Sequence, residues 1–313
     1  MKKNLFIKST LILILSGFLT KILGFIIKVI YTRIIGEYGI SLFTIATPTY
    51  SLLLTISTLA IPISISKLVS ENKGRSIRIL TSATFLILSI NFLLILLILL
   101  TKDFIAINLL KEPLASPILL AFSLTLPFVS ISSVLKGYFA GKQNMIPHAT
   151  SNIIEQIIRL IIIITVLPIL MKNSVMHAVL GLILLTILSE ISSIIVFLFF
   201  LPKHINYKTK LLPSKKHTKD ILDISLPTVS SRIIGNIGYF LEPIILTNLL
   251  LFSGYTNSYI LREYGAYNAY SLALLTMPGF FIAAISTSLL PEISKFHGEK
   301  NNIMVKRRIH QAL

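Results

Sequence analysis

The chain has 313 residues, of which 54% are hydrophobic and only 13% are charged, whereas about 25% of the residues of a soluble domain are charged. So few polar side chains cannot cover a soluble fold of this length, and the composition indicates an integral membrane protein. The excess of 29 lysines and arginines over 12 acidic residues gives a net charge of +17. The absence of cysteine from the sequence excludes disulfides, thiolate metal ligands and cysteine nucleophiles.

Eight stretches of the chain are long and apolar enough to cross a bilayer, since about 20 residues of helix span ~30 Å of hydrocarbon. In chain order they are residues 6–31, 41–63, 77–100, 114–138, 152–171, 176–201, 221–251 and 266–290. Each is interpreted as a helix, because the bilayer core offers backbone polar groups no partner outside their own segment. The predicted fold class is therefore an all-α integral membrane protein.

The basic residues outside these spans fall mainly on one side of the membrane. Twenty, among them Lys136, belong to the N-terminus, to every second connection or to the span ends that adjoin it, six belong to the opposite loops and helix ends, and three lie within spans. Because basic loops are retained in the cytoplasm, this asymmetry predicts a multi-pass protein of the cytoplasmic membrane with a cytoplasmic N-terminus. It also accounts for the net charge without a nucleic-acid partner.

Three short motifs recur in the same order near the two ends of the chain. TKILGFI at 20–26 matches SRIIGNI at 231–237, EYG at 37–39 recurs at 263–265, and IST followed by proline at 56–62 recurs at 285–291. Six spans separate the two copies, so both copies run through the membrane in the same direction. The motifs therefore predict a parallel repeat of six-helix lobes.

The repeat divides the chain into three predicted parts. Residues 1–202 form a complete six-helix lobe, residues 203–219 form a basic cytoplasmic linker, and residues 220–313 hold the first two helices of a second lobe. We expect the second lobe to have further helices beyond residue 313, because their absence would leave a central cavity open to lipid. A natural protein of eight spans is the alternative.

Several segments of the sequence resemble one family of membrane exporters. They are TKILGF at 20–25, TRIIG at 32–36, PISISK at 62–67, KGYFAGKQNM at 136–145, IEQIIR at 154–159, SRIIG at 231–235 and SLLPEIS at 288–294. This pattern resembles the stage V sporulation protein B family, within the superfamily of multidrug, oligosaccharidyl-lipid and polysaccharide exporters, over nearly the whole chain. The resemblance implies a two-lobed helical bundle, kinship with lipid II flippases, and a role in supplying precursors of peptidoglycan or another polysaccharide.

Two cations lie near the middle of predicted spans, where a charge costs at least ~2.5–3.5 kcal/mol unless it faces a cavity or a partner. Lys21 in the first span and Arg232 in the seventh occupy equivalent positions of the repeat. We predict that both face a shared cavity and bind the anionic, phosphate-bearing head group of a substrate. Snorkelling toward the membrane surface is the alternative for Lys21, and it is the expected behaviour of Lys28 and Arg33 near a helix end.

Four further charges lie within predicted spans. Glu155 and Arg159 are four residues apart on one helix, so they form either a self-neutralised structural pair or, through Arg159, a further contact to the substrate. Glu190 has no local partner, and Glu242 extends the helix face of Arg232; each is either structural or a group that couples transport to an ion. The six histidines form no metal-ligand pattern, and nucleotide-binding and hydrolase motifs do not occur, so we expect no metal and no cofactor.

These observations together predict a flippase or exporter, and not an enzyme, that moves a lipid-linked saccharide across the cytoplasmic membrane by alternating access of two lobes. Lys21, Arg232 and Arg159 would bind the head group while the lipid tail stays in the bilayer, and the coupling ion is left open. One alternative is a cation-coupled multidrug exporter of the same superfamily, which would rely on acids such as Glu190. A membrane-embedded glycosyltransferase is the other, although it would need larger external loops than this chain has.

Overall fold

The computed structural model describes residues 2–71, 76–142, 144–201, 213–276 and 304, with side chains from residue 15 onward except that of residue 273. The helices in these ranges are α1 (Lys2–Thr58), α2 (Ile61–Glu71), α3 (Ser76–Asp103), α4 (Ala115–Gly141), α5 (Ile146–Asn173), α6 (Val175–Phe200), α7 (Lys215–Phe252), α8 (Asn257–Ala266) and α9 (Leu272–Thr276). Short π-helical turns follow α3 at Phe104–Leu109 and α8 at Tyr267–Ser271. The described ranges contain no strand, and the predicted all-α class is confirmed.

Helix α1 holds the first two predicted spans and is interrupted between them at Gly36. The backbone of Gly36 has φ 69° and ψ −179°, a conformation that is open almost only to glycine because glycine lacks a Cβ atom. The first half of α1, residues 2–35, ends there, and the second half, residues 37–58, forms a separate segment. The break thus falls in the predicted gap between spans 6–31 and 41–63.

The second predicted span is itself divided, because the chain leaves the helix at Leu59 and Ala60. These residues have φ angles of 46° and 51°, in the left-handed region, and α2 follows them directly. Pro62 supplies a physical reason. It has no N–H to offer the carbonyl of Thr58, and its ring would collide with that carbonyl if the helix continued.

Six helices of the described residues are long and apolar enough to cross a membrane, and they are α1 together with α3 to α7. Because α1 carries two predicted spans, these helices contain seven of the eight predicted ones. The eighth predicted span, residues 266–290, begins at the end of α8, and its larger part lies outside the described residues. The molecule is a multi-pass membrane protein.

The interior of the bundle consists of three clusters of buried apolar side chains. The largest lies between the second half of α1, α3, α4, α6 and α8, and it includes Leu42, Phe122 and Leu261. The second joins α2, α3 and α4 to the beginning of α7 through Ile221 and Val229. The third packs the first half of α1 against α5 and α6. Helices α7 and α8 therefore share apolar cores with helices of residues 1–202. The predicted domain boundaries stay a prediction, and most of the predicted linker lies outside the described residues.

Helices α2 and α4 approach one another so closely that two positions of α4 require glycine. A Cβ atom added to Gly137 would lie 2.7 Å from the Cα atom of Pro62, and one added to Gly141 would lie 2.7 Å from the carbonyl oxygen of Ser66. Small residues four apart are a common means by which membrane helices bring their backbones into contact. This packing positions the end of α4, and with it Lys136, which directly precedes Gly137.

Candidate functional site

A cavity of about 500 Å³ opens between the first half of α1, the end of α4 and the beginning of α5. Three lysines line it, Lys21, Lys28 and Lys136, and Glu155 is the one acidic residue among the described residues of its wall. The rest of the wall is formed by Thr20, Gly24, Phe25, Asn152, Gln156 and Thr276. We call this space the lysine cavity. Its ammonium and carboxamide groups are hydrogen-bond donors, as an anionic ligand requires.

A smaller cavity of about 250 Å³ adjoins the lysine cavity and shares Lys28 and Thr276 with it. Tyr31 of α1 and Tyr239 of α7 face it, so we call it the tyrosine cavity. Its remaining wall is formed by Ile40, Phe43, Thr44, Thr47, Asn268 and Leu272. Hydroxyl, phenol and carboxamide groups alternate there with apolar surface, and no acidic residue is among the described residues of the wall.

Behind the lysine cavity, four charged side chains from three helices form a charge cluster. Nζ of Lys136 on α4 lies 3.5 Å from Oε2 of Glu155 on α5, and a terminal guanidinium nitrogen, Nη2, of Arg159 donates to Oε1 of Glu155 at 3.0 Å. The same nitrogen lies 3.6 Å from Oε1 of Glu190 on α6, and Nε of Arg159 donates to Oγ of Ser189 at 3.1 Å. The two negative charges of the carboxylates are therefore matched by the two positive charges of Lys136 and Arg159.

The burial of the two carboxylates explains why the cluster needs its cations. The side chains of Glu155 and Glu190 are each 8% exposed, whereas those of Lys136 and Arg159 are 25% and 22% exposed. Oε2 of Glu190 is buried and has no hydrogen-bond partner among the described residues. Because a buried carboxylate without a cation is costly, the contacts with Arg159 stabilise both acids.

Two hydrogen bonds join α8 to α1 and to the segment before α4. Nε of Arg262 donates to Oε1 of Glu37 at 2.7 Å, and Nδ2 of Asn257 donates to the carbonyl oxygen of Lys111 at 2.9 Å. The hydrogen bond to Glu37 raises the pKa of Arg262 above its ordinary value, so the guanidinium stays charged. We call these two contacts the clasp. It joins the two copies of the EYG motif, since Glu37 begins the first copy and Arg262 directly precedes the second.

The family described as "Polysaccharide biosynthesis protein" matches residues 6–297, nearly the whole length of the chain. The chain belongs to the polysaccharide biosynthesis protein family. Stage V sporulation protein B of Bacillus subtilis (strain 168) is 34% identical over 325 residues, which cover 100% of this chain and 62% of that relative. Lipid II flippase MurJ of the same bacterium is 26% identical over 179 residues, which cover 53% of this chain and 33% of that relative. The family resemblance predicted from the motifs is confirmed.

This member of the polysaccharide biosynthesis family also shares its fold with solved transporters. One is the inward-facing conformation of a multidrug resistance transporter of the MATE family, in the MOP superfamily. The two structures superpose with a TM-score of 0.65 at 16% identity, over 93% of this chain and 66% of the other. The likeness concerns the fold alone, and it agrees with the predicted all-α class.

The structure places the predicted site residues of this family member in three settings. Lys21 and Glu155 line the lysine cavity. Arg159 lies in the charge cluster and does not line the cavity. Glu190, for which the sequence shows no local partner, contacts Arg159 from the neighbouring helix α6. Arg232 on α7 is exposed, and neither cavity wall includes it. Its pairing with Lys21 across a shared cavity stays a prediction.

Glu242, on α7, is partly buried and lines neither cavity, so its predicted coupling or structural role also stays a prediction. Within the described ranges, histidine, aspartate and glutamate side chains form no group of three that could hold a metal ion.

Neither Lys28 nor Lys136 is predicted from the sequence to be a site residue, yet both line the lysine cavity. Lys28, expected to snorkel near a helix end, lies seven residues after Lys21 on the same face of α1, and the cavity extends along that face. Lys136 is assigned by sequence to a basic connection, whereas α4 continues to Gly141 and carries Lys136 into the cavity wall. The sequence signal that places Lys136 beside Glu155 is the short connection between α4 and α5. It brings the end of α4 next to the beginning of α5.

Proposed function

We propose that this chain is part of a flippase that moves a lipid-linked, diphosphate-bearing saccharide across the cytoplasmic membrane by alternating access. The observation that carries the proposal is the lysine cavity, which holds three cations inside a membrane-spanning bundle. A lysine near the bilayer centre costs at least ~2.5–3.5 kcal/mol. Of the three lysines, Lys21 lies near the middle of its predicted span, and grouping it with Lys28 and Lys136 around one cavity is reasonable when the ligand brings the opposite charge.

The charges around the lysine cavity favour an anion over a cation. The carboxylate of Glu155 is divided between Arg159 at 3.0 Å and Lys136 at 3.5 Å, so it offsets only part of the positive charge of the three lysines. A phosphate group can contact several ammonium groups at once, since each lysine acts as a mobile point charge. Asn152 and Gln156 add amide donors for phosphate oxygens.

The saccharide part of the substrate fits the tyrosine cavity. This space shares Lys28 with the lysine cavity, so a group bound there would adjoin the phosphates. Tyr31 and Tyr239 offer apolar ring faces and hydroxyls, and Asn268 offers a carboxamide, which together suit a neutral ligand rich in hydroxyl groups. No covalent step is required, and we propose a transporter rather than an enzyme.

The family supports this class of substrate. The description of the family refers to polysaccharide biosynthesis, and one relative is named a lipid II flippase. The chain spans 62% of the length of stage V sporulation protein B. Within the proposal, Arg232 remains the cation that the second lobe contributes, at the repeat position equivalent to Lys21, and Arg159 acts through Glu155 rather than on the substrate directly.

A cation-coupled multidrug exporter is the second candidate, because the solved MATE transporter has a similar fold. Such an exporter would need an acidic site for a hydrophobic cation. A cation entering this protein would instead meet three lysines and one acid that is already paired. The same charges that attract a phosphate would exclude the drug.

The experiment that tests the proposal follows two probes in lipid vesicles that contain the full-length protein. One probe is a fluorescent saccharide joined through a diphosphate to a short polyprenyl chain, and the other is ethidium, a hydrophobic cation. We expect the protein to move the first probe between leaflets, measured by dithionite quenching, and to leave ethidium in place. A neutral fluorescent glycolipid without the diphosphate controls for unspecific scrambling. Movement of ethidium without movement of the diphosphate probe would refute the proposal.

We also propose that the N-terminus and the linker at 203–219 are cytoplasmic, from the distribution of basic residues. Because the sequence has no native cysteine, a single Lys210→Cys variant gives one labelling site in it. An impermeant maleimide should label this cysteine only after the cells are permeabilised. A Lys111→Cys variant, in a loop predicted to be external, should be labelled in intact cells. The reverse pattern would invert the topology.

A further inference from the structure

The contact between Lys136 and Glu155 differs from the other contacts of the charge cluster. Nζ of Lys136 is 3.5 Å from Oε2 of Glu155, which is longer than the roughly 2.7–3.2 Å of an N–H···O hydrogen bond. Arg159 lies 3.0 Å from the other oxygen and donates a hydrogen bond to it. Lys136 also belongs to the wall of the lysine cavity, and Arg159 does not. Lys136 is thus the cation that can leave Glu155 at the smaller loss.

We propose that Lys136 is a head-group ligand that Glu155 holds against the cavity wall until an anion displaces the carboxylate. The proposal rests on the proposed function and names a residue and a selectivity device within the same site. When Lys136 turns to the ligand, Glu155 keeps Arg159, so the buried carboxylate is not left without a cation. The ligand then replaces Glu155 as the partner of the ammonium group.

This exchange makes the lysine cavity selective for highly charged anions. A ligand must compete with a carboxylate that is 8% exposed and already close to the ammonium group. A single phosphate carries less charge than a diphosphate and has fewer oxygens to share. A diphosphate can contact Lys136 on α4 while another of its oxygens contacts a lysine on α1, Lys21 or Lys28. Glu155 therefore sets a threshold that a diphosphate passes more easily than a monophosphate.

The test is equilibrium binding of three probes to the purified full-length protein in detergent. The probes are farnesyl diphosphate, farnesyl monophosphate and inorganic pyrophosphate. Tighter binding of farnesyl diphosphate than of pyrophosphate is the result expected for a lipid-linked ligand. Equal affinities for these two would overturn the lipid-linked part of the proposal.

Lys136→Gln is the principal variant, and Lys142→Gln is its matched control. Lys142 lies six residues further along, donates a hydrogen bond to Oγ of Ser76 at 2.8 Å, and does not line the lysine cavity. We expect Lys136→Gln to weaken farnesyl diphosphate binding by about tenfold or more, the effect of one charge-assisted hydrogen bond. Its effect on the monophosphate should be smaller, and Lys142→Gln should affect neither probe.

Glu155→Gln tests the selectivity device itself. The amide keeps an acceptor oxygen for Arg159 but loses the charge that competes for Lys136, so monophosphate binding should become tighter and the preference for diphosphate smaller. Lys136→Arg keeps the cation and should retain most of the diphosphate affinity, which separates the charge at this position from the packing of α4. An unchanged preference in Glu155→Gln would show that this carboxylate sets no threshold.

The outcomes also distinguish this proposal from the proposed function. If Lys136→Gln binds farnesyl diphosphate normally while Lys21→Gln does not, Lys136 is not a ligand and the proposed function stands. If both variants bind normally, the anion site itself is wrong. If Lys142→Gln loses as much affinity for farnesyl diphosphate as Lys136→Gln, the effect comes from the overall positive charge of that region. This outcome would overturn the assignment of Lys136 as a ligand.

Discussion

Replacing Gly137 by alanine places a methyl group in the contact between α4 and α2. The new Cβ atom would lie 2.7 Å from the Cα atom and 2.8 Å from the carbonyl oxygen of Pro62. Carbon atoms in favourable contact are about 3.5–4.0 Å apart, so the two helices must separate by about 1 Å. Both contacted atoms are backbone, and no side-chain rotation relieves the overlap.

The expected destabilisation follows from two opposing effects. Overpacking in a tight contact costs about 1–3 kcal/mol, and a backbone neighbour places this case near the upper value. Alanine is a better helix former than glycine by about 1 kcal/mol, which offsets part of the loss. A net loss of about 2 kcal/mol should lower the midpoint of thermal unfolding by about 4–8 °C, at 2–4 °C per kcal/mol.

The assay is the thermal midpoint of the purified protein in detergent, followed by binding of farnesyl diphosphate. Gly17→Ala is the matched control, because a Cβ atom at Gly17 meets no atom of the described residues within 4 Å, and alanine there should be neutral or slightly stabilising. Because Gly137 adjoins Lys136, we also expect weaker probe binding in Gly137→Ala. Equal midpoints for the two variants would refute the close approach of α2 and α4.

Three further predictions concern the site and the proposed movement. Lys21→Ala should lower flipping of the diphosphate probe by about tenfold or more at a near-normal membrane level; loss of folded protein with normal activity per molecule would show a structural role instead. Glu155→Gln and Arg159→Gln together should reduce thermal stability by less than the sum of the two single losses, because both substitutions remove the same contact; additive losses would contradict the pairing. Joining Glu37→Cys to Arg262→Cys with a short bis-thiosulfonate cross-linker, which replaces the contact between Glu37 and Arg262, should stop flipping until a reductant is added; full activity of the cross-linked protein would show that α8 and α1 need not separate.

The sequence determined the features that depend on local composition and spacing. Apolar stretches of sufficient length predicted seven spans that fall within the six membrane-length helices of the described residues, because the hydrocarbon core imposes the same length and backbone hydrogen bonding on every crossing segment. The cost of a charge in the bilayer singled out Lys21, which lines the lysine cavity. The motifs predicted the family, which the match over residues 6–297 confirms.

Only the tertiary structure decided which side chains share a site. By sequence, Arg159 is either a structural partner of Glu155 or a substrate contact. In the structure it contacts Glu155 and Glu190 and is not among the residues of the cavity wall, and its role stays a prediction. Lys136 belongs to a basic connection by sequence, yet the close packing at Gly137 carries it into that wall. The physical reason is that hydropathy specifies how long a helix is, whereas its rotation and its neighbours depend on contacts between residues far apart in the chain.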